Sequence, residues 1–254
     1  MKERSLSTYY DDVALKGLQL AQSDLDRDAL GQARLIRIRD TVFEFVNDLS
    51  DQPDHEPTGE QPTQDAEAEA AVEVVGADPT YADLAVLGKA DLAPEWQGER
   101  PILCIAGRTL LDEAAAIMFA QLCTAHGLAA RVEESNALTT TNIFRLETAG
   151  VALICLSYLD TTNAAHIRYA IRRIRRKLPR AIIMVGCWTL GDDEGHLDSL
   201  REGTRADLVC ASFRDATRLC VEAAKLIDAS SDGTKGASET ADVIPFSNLT
   251  QGIS

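Results

Sequence analysis

The sequence predicts a doubly wound α/β sandwich preceded by a small helical unit, and three observations carry that prediction. Between Pro101 and Ala229, short apolar runs alternate five times with amphipathic helical stretches. Three of the runs are apolar on both faces, as parallel strands covered by helices on each side must be. Helix stops also fall where the alternation needs them, at Gly127, Gly150 and Pro179.

In chain order, residues 1–49 read as a helical unit. Val13, Leu15, Leu18, Leu20 and Ala21 mark one amphipathic helix, with Ser7 or Thr8 as its cap. Leu35, Ile38, Val42, Phe43, Phe45, Val46 and Leu49 mark a second, and Gly31 separates the two. A helix pair of this size cannot bury its apolar stripe alone. It is expected to dock on the α/β part, on a second copy, or on an upstream part of a longer chain.

Residues 50–80 are rich in Asp, Glu, Gln, Pro and Ala, with Pro53, Pro57, Pro62 and Pro79 among them. Such a composition cannot recover its ordering entropy through burial, which predicts a flexible linker. The α/β domain is expected over 81–229. It would open with a short helix, Tyr81 to Leu87, and Pro94-Glu-Trp96 leading into the first strand.

The strand runs are Pro101–Ala106, Ala129–Val132, Val151–Leu156, Ala181–Val185 and Ala206–Ala211. Helices are expected at Leu111–His126, Thr141–Ala149, Ala164–Leu178, Leu197–Thr204 and Arg214–Asp228. Residues 230–254 form a Ser/Gly/Thr-rich tail, expected to be disordered apart from Val243–Phe246. In a sheet of order 2-1-3-4-5 the switch point lies between the first and third strands, where ligands bind beyond the carboxyl ends.

Charge and cysteine usage narrow the function classes. The net charge is -15, and the stretch Asp51 to Glu99, with thirteen acidic residues against Lys89, accounts for -12 of it. The acidity therefore belongs to the linker and discourages nucleic acid there. Six cysteines, at 104, 123, 155, 187, 210 and 220, show no CxxC or Cys/His metal spacing. They are expected as small buried hydrophobes in a reducing compartment. No run approaches the ~20 apolar residues of a membrane-spanning helix, and Met1-Lys-Glu-Arg-Ser5 is too polar for a signal peptide.

Candidate ligand contacts cluster at the strand ends. After the first strand, Gly107-Arg108-Thr109-Leu-Leu-Asp112 lacks both GxGxxG and GxxxxGK[ST]. Arg108 and Thr109 beside a helix start suit an anion, or else Gly107 gives the turn and Thr109 caps the helix. The third strand ends in Ser157, Tyr158 and Asp160, which read either as a ligand loop or as ordinary capping. The fourth ends in Gly186 and Trp188, a glycine that permits close approach and a ring that can stack or pack.

Arg168, Arg172, Arg175 and Arg176 share one face of a basic helix. Beyond a solvated face, its expected partners are the acidic linker or anionic lipid. His126, His166 and His196 are expected as surface or capping residues. The run Asp192-Asp193-Glu194 lacks the length and alternation of a calcium loop. No catalytic set and no metal set emerges, so the chain is expected to be non-enzymatic.

Two family resemblances follow from these residues. Ser157-Tyr158-Leu159 matches the S-x-L loop of cobalamin-binding flavodoxin-like domains, and Gly186-Cys187 half-matches their Gly-Gly pair. Their D-x-H-x-x-G loop is absent here, so a cobalamin on this chain would be held base-off, without a cobalt-ligating histidine. The resemblance implies a flavodoxin-like five-stranded parallel sheet of order 2-1-3-4-5.

A second resemblance covers Lys2–Leu18, Ile105–Ala116, Asn142–Gly150 and Ile167–Arg173. These stretches are similar to the cytosolic C-terminal domain of proteobacterial autoinducer-2 exporter-like (PerM-type) permeases. It implies a regulatory or interaction domain on the cytoplasmic side of the inner membrane, attached to a transmembrane part. That domain would sense a small anionic ligand and have the option of self-association.

Overall fold

The computed structural model of the chain describes residues 5–55, 84–189 and 194–226. Five strands, β1 (Ile102–Ala106), β2 (Ala130–Glu133), β3 (Leu153–Tyr158), β4 (Ile182–Cys187) and β5 (Leu208–Cys210), form one sheet. All neighbours run parallel and the order is β2-β1-β3-β4-β5. This is the flavodoxin-like arrangement expected from the alternating runs. β1 and β3 are buried along their whole length, which explains why their sequences show no period of two.

The N-terminal unit consists of α1 (Leu6–Tyr9), a π-helical stretch (Tyr10–Ala14), α2 (Leu15–Asp26) and α3 (Gln32–Asp48). Ser5, rather than Ser7 or Thr8, caps α1 by accepting from the Thr8 amide. The other helices are α4 (Leu110–Ala125), α5 (Ala164–Lys177), α6 (Glu194–Thr204) and α7 (Phe213–Ala224).

Helices α4 and α7 cover one face of the sheet, and the N-terminal unit packs on top of them in the same apolar core. The α/β part, one of the docking surfaces expected from the sequence, carries the unit. Helices α5 and α6 cover the opposite face and form a second core.

The first core is layered. Tyr10 is fully buried between Phe45 of α3 and Phe213 of α7, and its hydroxyl donates to Gln121 of α4. Gln121 in turn donates to the Val46 carbonyl of α3. The Asp11 carboxylate accepts from the Phe213 and Arg214 amides, satisfying the first N–H groups of α7 from a separate helix. Burial pushes the Asp11 carboxyl up to about 6, although those two amides oppose the shift.

Several local expectations change. Thr141–Ala149 is not a helix: residues 140–145 form turns that follow a 3-10 helix over Ser135–Leu138. The Lys177 ammonium donates to the carbonyls of Ile143, Phe144 and Leu146, so these oxygens serve as its ligands and close no continuing helix.

Residues 84–88 have no helical structure either, because Leu87 lies against the end of α4 and donates to the His126 carbonyl. Gly127 (φ 79°) permits that approach, since a Cβ there would stand 2.0 Å from the Leu87 oxygen. The third strand extends to Tyr158, two residues beyond its apolar run.

All six cysteines are buried and unpaired, as expected. No helix among the described residues is long and apolar enough to cross a membrane. Most of the expected linker, Tyr81–Asp83, Asp192, Asp193 and the tail from 230 lie outside the described residues.

Candidate functional site

The loops at the carboxyl ends of β1, β3 and β4 are joined by one carboxylate. Thr109 caps α4 by accepting from the Asp112 amide, and Asp112 answers from inside the helix. One Asp112 oxygen accepts from the Arg108 and Thr109 amides, and the other accepts from Leu159 N. Burial raises the Asp112 carboxyl above its ordinary range, even against these donors. Ser157 Oγ donates to the Asp112 carbonyl at 2.9 Å and accepts from Trp188 Nε1 at 2.8 Å.

Five of the eight expected ligand residues come together here as a packed plug. Gly107, Ser157, Tyr158, Gly186 and Trp188 are all buried. A Cβ on Gly107 would meet the Tyr158 ring at 2.3 Å, and one on Gly186 would meet the Trp188 ring at 2.0 Å. The space those glycines leave is filled by the chain's own aromatics. Trp188 is 0% exposed, with its ring 4.6 Å from Phe213 and 5.9 Å from Phe119.

The remaining three residues, Arg108, Thr109 and Asp160, lie at the rim, and the Arg108 guanidinium faces Asp160 at 3.7 Å. The Tyr158 hydroxyl lies 3.4 Å from His166 Nδ1. Desolvation, reinforced by Arg108, pulls the His166 imidazole below its ordinary value. Burial pushes the Cys187 thiol up to about 12. Neither Cys187 nor Ser157 is hydrogen-bonded to an imidazole among the described residues.

Beside the plug lies a cleft of about 640 Å³, between α2 and the ends of β3 and β4. Its roof is a polar stripe of α2, Gln19, Gln22, Ser23 and Asp26, spaced i, i+3, i+4, i+7. Its floor includes Asp160, Thr161, Thr162 and Thr189, with His196 and Ser199 on α6.

Gln19 donates to the Trp188 carbonyl and so ties the roof to β4. Gln22 is only 5% exposed; its amide nitrogen donates to Asp26, while its Oε1 has no partner among the described residues. Sequence reading missed the α2 residues because their position depends on where the helix docks. The stripe itself was the available signal.

A buried, hydrogen-bonded His–Asp pair completes the picture. His126 Nε2 lies 3.1 Å from Asp54 Oδ2, with the side chains 1% and 2% exposed. Asp54 Oδ1 also accepts from the Ser7 amide. Burial works to raise the Asp54 carboxyl, but His126 and Ser7 outweigh it and leave it below its ordinary value. His126, expected as a surface or capping residue, is the C-cap of α4 and is buried there, because residues 51–55 fold back over it.

The expected basic face is divided. Arg175 pairs with Asp207 and donates to the Ala181 carbonyl, and Arg168 reaches the Gly203 carbonyl. Arg172 and Arg176 remain exposed. No group of metal-ligating side chains occurs among the described residues.

No protein-family model and no curated protein matches the chain. Among solved structures it is similar to a cobalamin-binding protein from Desulfitobacterium hafniense DCB-2, at 9% identity and a TM-score of 0.41. That match covers 87% of this chain and 84% of the other.

Proposed function

We propose that the chain is a non-enzymatic regulatory domain that takes a small ligand in the cleft beneath α2. The observation that carries this reading is the origin of the roof: the cleft exists only because the N-terminal unit is docked. Ligand occupancy and the position of that unit are therefore linked, since a ligand that bridges both stabilises the docked state. The unit in turn sets whatever is joined to α1. The sequence resemblance to permease tails makes a membrane transporter the proposed recipient, on the cytoplasmic side of the inner membrane.

The lining indicates what class of ligand to try first. It holds two carboxylates, Asp26 and Asp160, and neither lysine nor arginine. The Thr162, Thr189 and Ser199 hydroxyls already donate within the protein. Acceptors remain, led by the Gln22 oxygen, which suits a donor-rich amine or polyol better than the anion expected from the Arg108 loop.

Base-off cobalamin is a poorer fit between these strand ends. The Tyr158 and Trp188 rings fill the crevice, and amides already engage both oxygens of Asp112.

The test is a thermal-shift panel on the whole chain with amines, polyols, small anions, nucleotides and cobalamins. The expected result is stabilisation by a donor-rich compound, abolished by Ser199→Trp, which fills the cleft. No shift with any compound removes the sensing role and leaves a scaffold.

A further inference from the structure

The cations on and beside the outward face of α5 divide into those that hold the fold and those with no carboxylate partner among the described residues. Arg175, Lys177 and Arg168 are engaged by Asp207 or by main-chain carbonyls. Arg145, Arg172, Arg176 and Arg180 have no carboxylate partner among the described residues, and all four are exposed. Helix α5 itself carries no acidic residue.

Arg173 lies over the Tyr169 ring at 5.4 Å, and that ring is 57% exposed. Lys177, on the Arg173 flank of the helix, grips the 143–146 turn and fixes Phe144 beside it, 82% exposed. The patch thus combines arginines with two outward aromatic rings on a protein whose net charge is -15.

We propose that this face, Arg145, Phe144, Tyr169, Arg172, Arg173 and Arg176, docks on an anionic lipid bilayer. The guanidinium groups supply attraction to acidic headgroups, and the rings supply the interfacial contact that charge alone lacks. The exposed groups lie together on one helix face and its flanking turn, a disposition that suits a planar surface. The surface lies on the opposite side of the sheet from the N-terminal unit, so docking is compatible with an intact cleft. The inference stands whether or not the cleft binds a ligand.

The experiment is flotation of the full chain with phosphatidylcholine vesicles, with and without phosphatidylglycerol. The bound fraction is expected to rise at least ~tenfold with the anionic lipid at low salt and to vanish at high salt. Arg172→Glu/Arg176→Glu should remove binding, and Phe144→Ser should weaken it several-fold while leaving the salt dependence in place. Arg34→Glu/Arg37→Glu, an equal charge change on exposed positions of α3, should bind as the parent does. Equal recovery on neutral vesicles, or loss of binding in the α3 variant as well, overturns the proposal. So does release from vesicles by an equal charge of single-stranded nucleic acid at unchanged salt.

Discussion

The two sides of the sheet solve the same burial problem differently, and their helices record it. Helix α4 is apolar nearly all round: Leu111, Ala114, Ala115, Ala116, Met118, Phe119, Leu122 and Cys123 are all buried. It has protein on both sides, the sheet beneath and α3 above. Helix α5 buries only Ile167, Ala170, Ile171 and Ile174 and turns arginines outward. A helix without a polar face belongs in the middle of a stack, and a strongly amphipathic one belongs at its surface. The first side is thus a three-layer core that needs the N-terminal unit, while the second is finished and free to face a partner.

This contrast is most exposed at Trp188, the ring where β4 meets the layered side. Trp188→Ala leaves a cavity against Phe119 and Phe213 and removes the indole donor to the Ser157 hydroxyl. A loss of about 3–5 kcal/mol is expected in urea unfolding. A loss below about 1 kcal/mol would show that the layered side is loosely packed.

His126→Ala removes the partner of a buried carboxylate at the seam between α1, Asp54 and α4. The expected cost is about 3 kcal/mol. Because the Asp54 carboxyl lies below its ordinary value, its stabilising contribution is present above the unfolded value of 3.8 and fades as pH falls through the folded one. The variant should lack that acid-side loss, as read by unfolding between neutral and strongly acidic pH.

Asp11 sharpens the comparison with the opposite sign. Its carboxyl is raised from 3.8 to about 6, so its contribution is fully present below 3.8 and is lost as pH rises through 6. Asp11→Asn should flatten that segment of the stability profile by roughly 2–3 kcal/mol. An unchanged slope between those pH values would mean the carboxylate is solvated and the N-terminal unit loosely seated. The smallest effect is a gain: Gly17 in α2 has open space around a Cβ, so Gly17→Ala should stabilise by about 0.5–1 kcal/mol. A loss would place a partner against that outer surface.

The strands, their parallel order and four of the five helices expected after the first strand were legible because periodicity is a local property. The failed helix at Thr141–Ala149 shows the limit: its carbonyls answer to Lys177, more than thirty residues away in sequence. The strand-end residues Gly107, Ser157, Tyr158, Gly186 and Trp188 were located correctly in the chain. Their packing into a plug was not legible, since only the fold shows which ring fills which glycine's space. His126 caps its helix as expected, but its burial was not legible, because a polar residue at a helix end is ordinarily wet and Asp54 covers it from a distant segment.

What the amino-acid order determined alone was the rhythm: which runs are buried on two faces, which helix has a polar side, where turns fall. Those follow from side-chain chemistry at spacings of two and 3.6 residues. Only tertiary structure decided that a helical pair from the N-terminus roofs the strand ends and that an aspartate of one helix caps another. Such contacts join residues separated by up to about two hundred positions. No local pattern encodes them, because their energy exists only once both surfaces meet.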